Sequence, residues 1–192
     1  MCRVRTHVLV FDAALSTTPD DSTNYADTLA FFKEHSDFKI DPLPLIWVRF
    51  DNKGLVPDAM RGPRRVYETC LFGSRGDRKI FKVVQNACYK PTDKSEDHPT
   101  AKPYDMLREF FPMFVDGNTK MLDPTCGSGT ALRAAKSLSA TYVLGIENDP
   151  NFVKGATRKF EDWVLASGNG ADAGHPHHNQ TFDPANPPKF TG

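Results

Sequence analysis

No apolar run in this chain approaches the ~20 residues that cross a bilayer, and no charged-then-apolar opening marks a secretory leader. A membrane partner is not expected. Net charge is lacking too, since 24 basic residues meet 24 acidic ones. No overall field draws the chain to nucleic acid, so any such contact must come from local clusters. Cysteine is sparse: Cys2, Cys70, Cys88 and Cys126 stand far apart, with no C-x-x-C pair. That spacing argues against a disulfide framework and a zinc site, and it predicts a reducing, cytoplasmic setting. No internal repeat is visible, and 192 residues suffice for one sizeable core.

What is present reads as alternating strands and helices. His7 to Phe11, Phe38 to Ile40, Leu45 to Phe50 and Arg65 to Phe72 have strand character, and Lys79 to Val84 extends or pairs with the last of these. Pro19-Asp20-Asp21-Ser22 is a helix start ahead of Tyr25, Leu29 and Phe32 at helical spacing. Asn52-Lys53-Gly54 reads as a turn, and residues 88–101 read as a polar loop. Pro103 fits a first helical turn, with Met106, Leu107, Phe110, Phe111 and Phe114 as the buried stripe that follows. A further helix over about 129–139 leads to a strand ending at Glu147. Pro150 opens a last helix with Phe152, Val153, Ala156, Phe160, Trp163 and Val164 on one side. From 167 the composition turns to Gly, Asn, His and Pro, so the expected organisation is one α/β domain over 1–166 and a disordered tail over 167–192.

The most informative run is Met121-Leu122-Asp123-Pro124-Thr125-Cys126-Gly127-Ser128-Gly129-Thr130. An apolar strand ends in an acid, turns through two glycines and enters an alanine-rich helix; the next strand, Tyr142 to Ile146, ends in Glu147. This order is how α/β proteins hold an adenosine cofactor, although an ordinary tight strand-to-helix turn would also use such glycines. No lysine follows Gly129, and the three-glycine dinucleotide fingerprint is missing. Without a pyrophosphate device, the pattern favours an adenosyl ligand such as S-adenosylmethionine. Asp123 can accept from the methionine amino group, and Glu147 can accept from both ribose hydroxyls, because a carboxylate offers paired acceptor oxygens. Loop amides can meet polar groups of the ligand. Cys126 is expected to pack rather than react.

Ahead of this loop lies His98-Pro99-Thr100-Ala101-Lys102-Pro103. The two segments, in this order, resemble the permuted β class of N6-adenine and N4-cytosine DNA methyltransferases, in which an H-P-T-x-K-P segment precedes a helix and a D-P-x-x-G-S-G-T loop. Upstream, Leu45-Ile46-Trp47, Asp51-Asn52-Lys53-Gly54, Arg61-Gly62-Pro63-Arg64-Arg65 and Tyr67-Glu68 are similar less specifically. The resemblance implies a class I S-adenosylmethionine-dependent methyltransferase fold of Rossmann-like type. Its mostly parallel sheet would be flanked by helices, with an antiparallel element toward one edge. It also implies cofactor contacts from His98, Thr100, Lys102, Asp123, Pro124, Thr125, Cys126, Gly127, Gly129 and Glu147, and double-stranded DNA as partner. Arg61, Arg64, Arg65, Arg75, Arg78 and Lys79 are the basic cluster suited to DNA phosphates, although Glu68 and Asp77 could balance it as a solvated loop.

The family also carries a D/N/S-P-P-aromatic tetrapeptide that holds the target amine and stacks on the flipped base. Asp41-Pro42-Leu43-Pro44 and Asn186-Pro187-Pro188-Lys189 both lack the aromatic, so no catalytic residue is assigned. The expectation is a chain beginning inside a longer architecture, as a fragment, split subunit or degenerate copy. Its sheet would be incomplete at one edge, where a second chain or a second copy docks. His175-Pro176-His177-His178 offers no fixed geometry, and no functional metal site is expected.

Overall fold

The structure, a computed structural model, describes residues 6–12, 25–49, 66–76, 79–92 and 101–168. The chain forms two compact units, Met1–Thr92 with Pro112–Phe114, and Asp93–Phe111 with Val115–Gly192.

In the first unit, β1 (Thr6–Asp12), α1 (Tyr25–His35), β2 (Lys39–Ile40), β3 (Leu45–Val48), β4 (Tyr67–Arg75) and β5 (Ala87–Tyr89) follow in order. The long strand β4 organises the sheet. It pairs antiparallel with β1 from Thr6↔Arg75 to Asp12↔Thr69, and on its other side with β2 and β3. β3 then pairs parallel with β5. Alternation along β3 buries Leu45 and Trp47, which join Cys70, Leu71 and Cys88 in the core. The Trp47 indole, too large to bury with its N–H unmet, donates to the Lys90 carbonyl at 2.8 Å. Arg49 pairs with Glu68 and lies over the Trp47 ring, 4.6 Å from its centroid. Cys70 and Cys88 are buried as thiols, outside any disulfide.

Two strand expectations are corrected here. Lys79 to Val84 forms no strand; Gly76, at φ 74°, turns the chain out of β4 directly after Arg75. Conversely, Cys88 and Tyr89, expected as loop, belong to β5, because Cys88 fills a core position beside Trp47.

Along residues 104–168, α2 (Tyr104–Phe110) leads into a 3-10 turn (Phe111–Met113), then β6 (Lys120–Asp123), α3 (Thr130–Ser137), β7 (Tyr142–Gly145) and α4 (Pro150–Gly168) follow. Pro103 stands just before the helix as its cap rather than inside it. The stripe behaves as its spacing predicts, with Met106, Leu107, Phe110, Phe111 and Phe114 all buried. β6 and β7 pair in parallel, from Lys120↔Tyr142 to Asp123↔Gly145, with α3 as the crossover packed on both. α4 turns Phe152, Ala156, Phe160 and Trp163 inward, at half-buried positions. Val153 and Val164, expected on that side, are exposed, since each sits one residue and about 100° past an inward position. α4 also runs to Gly168, through the expected boundary at 166; the rest of the tail, with His175–His178 and Asn186–Lys189, lies outside the described residues.

The α/β class stands. Its antiparallel share exceeds a single edge element, because β4 makes all three of its pairings antiparallel. Among the described residues β6 pairs with β7 alone. None of the described helices is long and apolar enough to cross a membrane.

Candidate cofactor site

The site grows from the carboxyl ends of β6 and β7. Ile146 donates its amide to the Asp123 carbonyl at 2.9 Å, and Cys126 donates to the Ile146 carbonyl at 2.9 Å, so the ladder continues past both strands. Asp123 folds back on the chain, its Oδ1 accepting from the Thr125 amide at 3.1 Å. Gly129 N–H then donates to the Cys126 carbonyl at 2.8 Å and closes the turn.

Glycine is required at two places for different reasons. Gly129 caps α3 at φ 72°, a left-handed conformation that costs a side chain strain, and a Cβ there would lie 3.3 Å from Ala156 of α4. Gly145 is required by space. A Cβ would lie 2.6 Å from both Cys126 Sγ and Leu132 Cδ1. Gly145→Ala is therefore expected to destabilise the protein by about 1–3 kcal/mol through overpacking, read as a lower midpoint in chemical denaturation.

Glu147 joins the two strand ends. Its Oε2 accepts from the Gly127 amide at 3.0 Å, while Oε1 accepts from the Asn148 and Asp149 amides at 2.8 and 3.0 Å. Asp149 in turn caps α4, accepting the Asn151 amide on Oδ1 at 2.8 Å. At the start of α3, Ser128 and Thr130 are buried and share a 2.8 Å hydroxyl contact, and Arg133 Nη2 donates to Thr130 Oγ1 at 3.2 Å.

The loop amides thus serve differently from the sequence expectation. Those of Thr125, Cys126, Gly127 and Gly129 are taken by the loop and its neighbouring strand end, with Asp123 and Glu147 among the acceptors. Burial pushes the Asp123 carboxyl above its ordinary range; the Thr125 amide offsets part of this, and the Glu147 charge adds to it. Burial likewise raises the Cys126 thiol, and the charges of Asp123 and Glu147 push it further. A protonated thiol against Gly145 is a packing group, as expected.

Among the expected site residues, the structure brings together Asp123, Pro124, Thr125, Cys126, Gly127, Gly129 and Glu147 around this loop. Lys102 is half-buried just ahead of α2; His98 and Thr100 lie outside the described residues. So do Arg61, Arg64, Arg65 and Arg78 of the basic cluster. Arg75 is described and spends its guanidinium on Asp37 at 2.8 Å, while Lys79 is exposed. Asp41 accepts the Leu43 amide at 2.9 Å, so its proline-flanked segment is a turn into β3. Sequence reasoning missed the Ser128–Thr130–Arg133 cluster and the Asp149 cap. Their signal was hydroxyl and carboxylate residues at helix starts.

A family model described as DNA methylase, of the N6/N4 methyltransferase type, matches residues 19–158. The chain belongs to this N6/N4 DNA methylase family. Solved structures agree on the fold of the methylase. The M1.HpyAVI–SAM complex is 20% identical with a TM-score of 0.62, over 80% of this chain and 73% of that one. TTHA0409 from Thermus thermophilus is 19% identical at 0.60, over 84% and 72%. The cytosine-N4-specific PvuII DNA methyltransferase is 13% identical at 0.58, over 87% and 71%. A comparison with curated proteins finds no match. The family uses S-adenosylmethionine, and its substrate is DNA.

Proposed function

We propose that the Asp123–Gly129 loop and Glu147 of this methylase bind S-adenosylmethionine, and that the protein transfers its methyl group to the exocyclic amine of adenine (N6) or cytosine (N4) in double-stranded DNA. The observation that carries the reading is the pair of carboxylates at the ends of adjacent parallel strands, with the glycine loop between them. The donor set suits the ligand. S-adenosylmethionine carries a sulfonium, an ammonium and two ribose hydroxyls, all matched by anionic acceptors. A cationic ligand also relieves the repulsion that, with burial, holds Asp123 above its ordinary range.

When bound, the cofactor supplies an electrophilic methyl group. The protein's part is positional: Asp123 orients the methionine end, and Glu147 orients the ribose while sharing its oxygens with the Gly127, Asn148 and Asp149 amides. The reading extends to a second chain or second copy docking at the β6 edge. Support comes from the pairing of β6 with β7 alone among the described residues, where the Thr119 and Asp123 carbonyls face β7 and accept the Tyr142 and Ile146 amides. A cytoplasmic setting accords with cysteines that form no disulfide among the described residues.

Calorimetry with S-adenosylmethionine tests the cofactor half, and labelled methyl transfer to DNA tests the reaction. Cofactor binding and transfer of the labelled methyl group to DNA are both expected. No cofactor binding by the folded protein would overturn the reading.

A further inference from the structure

A glutamate side chain is long and turns about several bonds, so a carboxylate meant for the ribose hydroxyls must be held still. Main-chain amides hold Glu147. The Gly127 amide meets Oε2 at 3.0 Å, and the Asn148 and Asp149 amides meet Oε1 at 2.8 and 3.0 Å. Asn148 and Asp149 stand in the short link between β7 and α4. Its near end is fixed where the Ile146 amide donates to the Asp123 carbonyl at 2.9 Å. Its far end is fixed by Asp149, which is half-buried. Asp149 Oδ1 accepts the Asn151 amide at 2.8 Å, and its carbonyl accepts the Val153 amide at 3.0 Å. Pro150 carries no N–H, so the first amide that α4 offers a cap is that of Asn151.

One residue therefore closes the helix with its side chain and steadies the site carboxylate with its amide. Without the cap, the first turn of α4 frays, and the link loses the anchor that aims two amides at Oε1. We infer that Asp149 is a positioning residue for the cofactor: by capping α4 it holds the link on which Glu147 rests, and so sets how that carboxylate faces the ribose. This rests on the S-adenosylmethionine reading of the site and adds to it a residue that acts through Glu147.

The test is calorimetric affinity of the full chain for S-adenosylmethionine, with thermal unfolding measured alongside. Asp149→Ala is expected to weaken binding about five- to tenfold, the size of a lost helix cap carried into the binding equilibrium. Asp149→Asn keeps an acceptor oxygen for Asn151 and is expected to restore affinity to within about twofold of wild type. Two further variants separate positioning from ordinary helix support. Arg158→Gly, at an exposed position of α4, also weakens the helix and is expected to lower Tm with affinity unchanged. In a Glu147→Ala background, Asp149→Ala is expected to cost no further affinity, because the group it positions is gone. Equal losses from Asp149→Ala with and without Glu147 would overturn the positioning role and leave the cofactor site standing. So would wild-type affinity in the folded Asp149→Ala protein, or an equal loss from Arg158→Gly. Absence of cofactor binding by the wild-type protein would overturn both.

Discussion

Glu147→Ala is expected to lower S-adenosylmethionine affinity by several hundred-fold, the largest effect of any single change in the site. Two losses combine. The first is the acceptor for the ribose hydroxyls; hydrogen bonds to a charged partner contribute about 1.5–3 kcal/mol each. The second is the clamp on the loop, because the Gly127 amide loses its 3.0 Å partner and the Asn148 and Asp149 amides lose theirs. A combined cost of roughly 3–4 kcal/mol corresponds to about 10²–10³ in dissociation constant. Glu147→Gln separates the two contributions. Its one carbonyl oxygen can still accept on the Asn148 side, whereas its NH₂ group would face the Gly127 amide donor to donor. The glutamine variant is therefore expected to bind nearly as poorly as alanine while keeping more of the thermal stability. Calorimetric affinities for both variants within threefold of wild type would remove Glu147 from the cofactor site.

Much of this site is legible in the chain because its chemistry is local. Asp123 and Glu147 each end an apolar run, and two glycines separated by one residue announce a turn into a helix. The α2 stripe is legible for the same reason: a 3.6-residue period fixes which side chains share a face, and all five stripe residues are buried. What escaped depends on distant partners. β5 is three residues long, and only pairing with β3 makes it a strand. Lys79 to Val84 has strand-like composition but, beyond Gly76, no strand lies beside it among the described residues. Arg75 looks available to phosphate until Asp37 is found against it. The internal use of the loop amides follows from the same limit. A glycine pattern says that the backbone can come close to something, and here that something is largely the Glu147 carboxylate and the loop's own carbonyl.

Asp123→Asn is expected to make the protein more stable at neutral pH and a poorer cofactor binder at the same time. Burial and the Glu147 charge raise the Asp123 pKa in the folded protein above its value in the unfolded chain. The folded state therefore binds this proton more tightly. The associated stability is fully present below the unfolded-state pKa and is lost as pH rises through the raised, folded-state value. At neutral pH the ionised carboxylate is a net cost. Asparagine removes the charge while its carbonyl can keep the 3.1 Å bond from Thr125. A gain of about 0.5–2 kcal/mol, typical of relieving a strained functional position, should appear as a higher Tm at neutral pH and vanish in acid. Cofactor affinity should move the other way, falling roughly 10- to 100-fold because the ammonium loses a charged acceptor. The two changes share one cause, and their pH dependence shows it. Wild-type affinity should climb as pH rises through the raised Asp123 pKa and then level off, whereas the asparagine variant should lack that step. A variant that is less stable at neutral pH, or one whose binding keeps the wild-type pH step, would show that Asp123 is not the ionised group awaiting the cofactor.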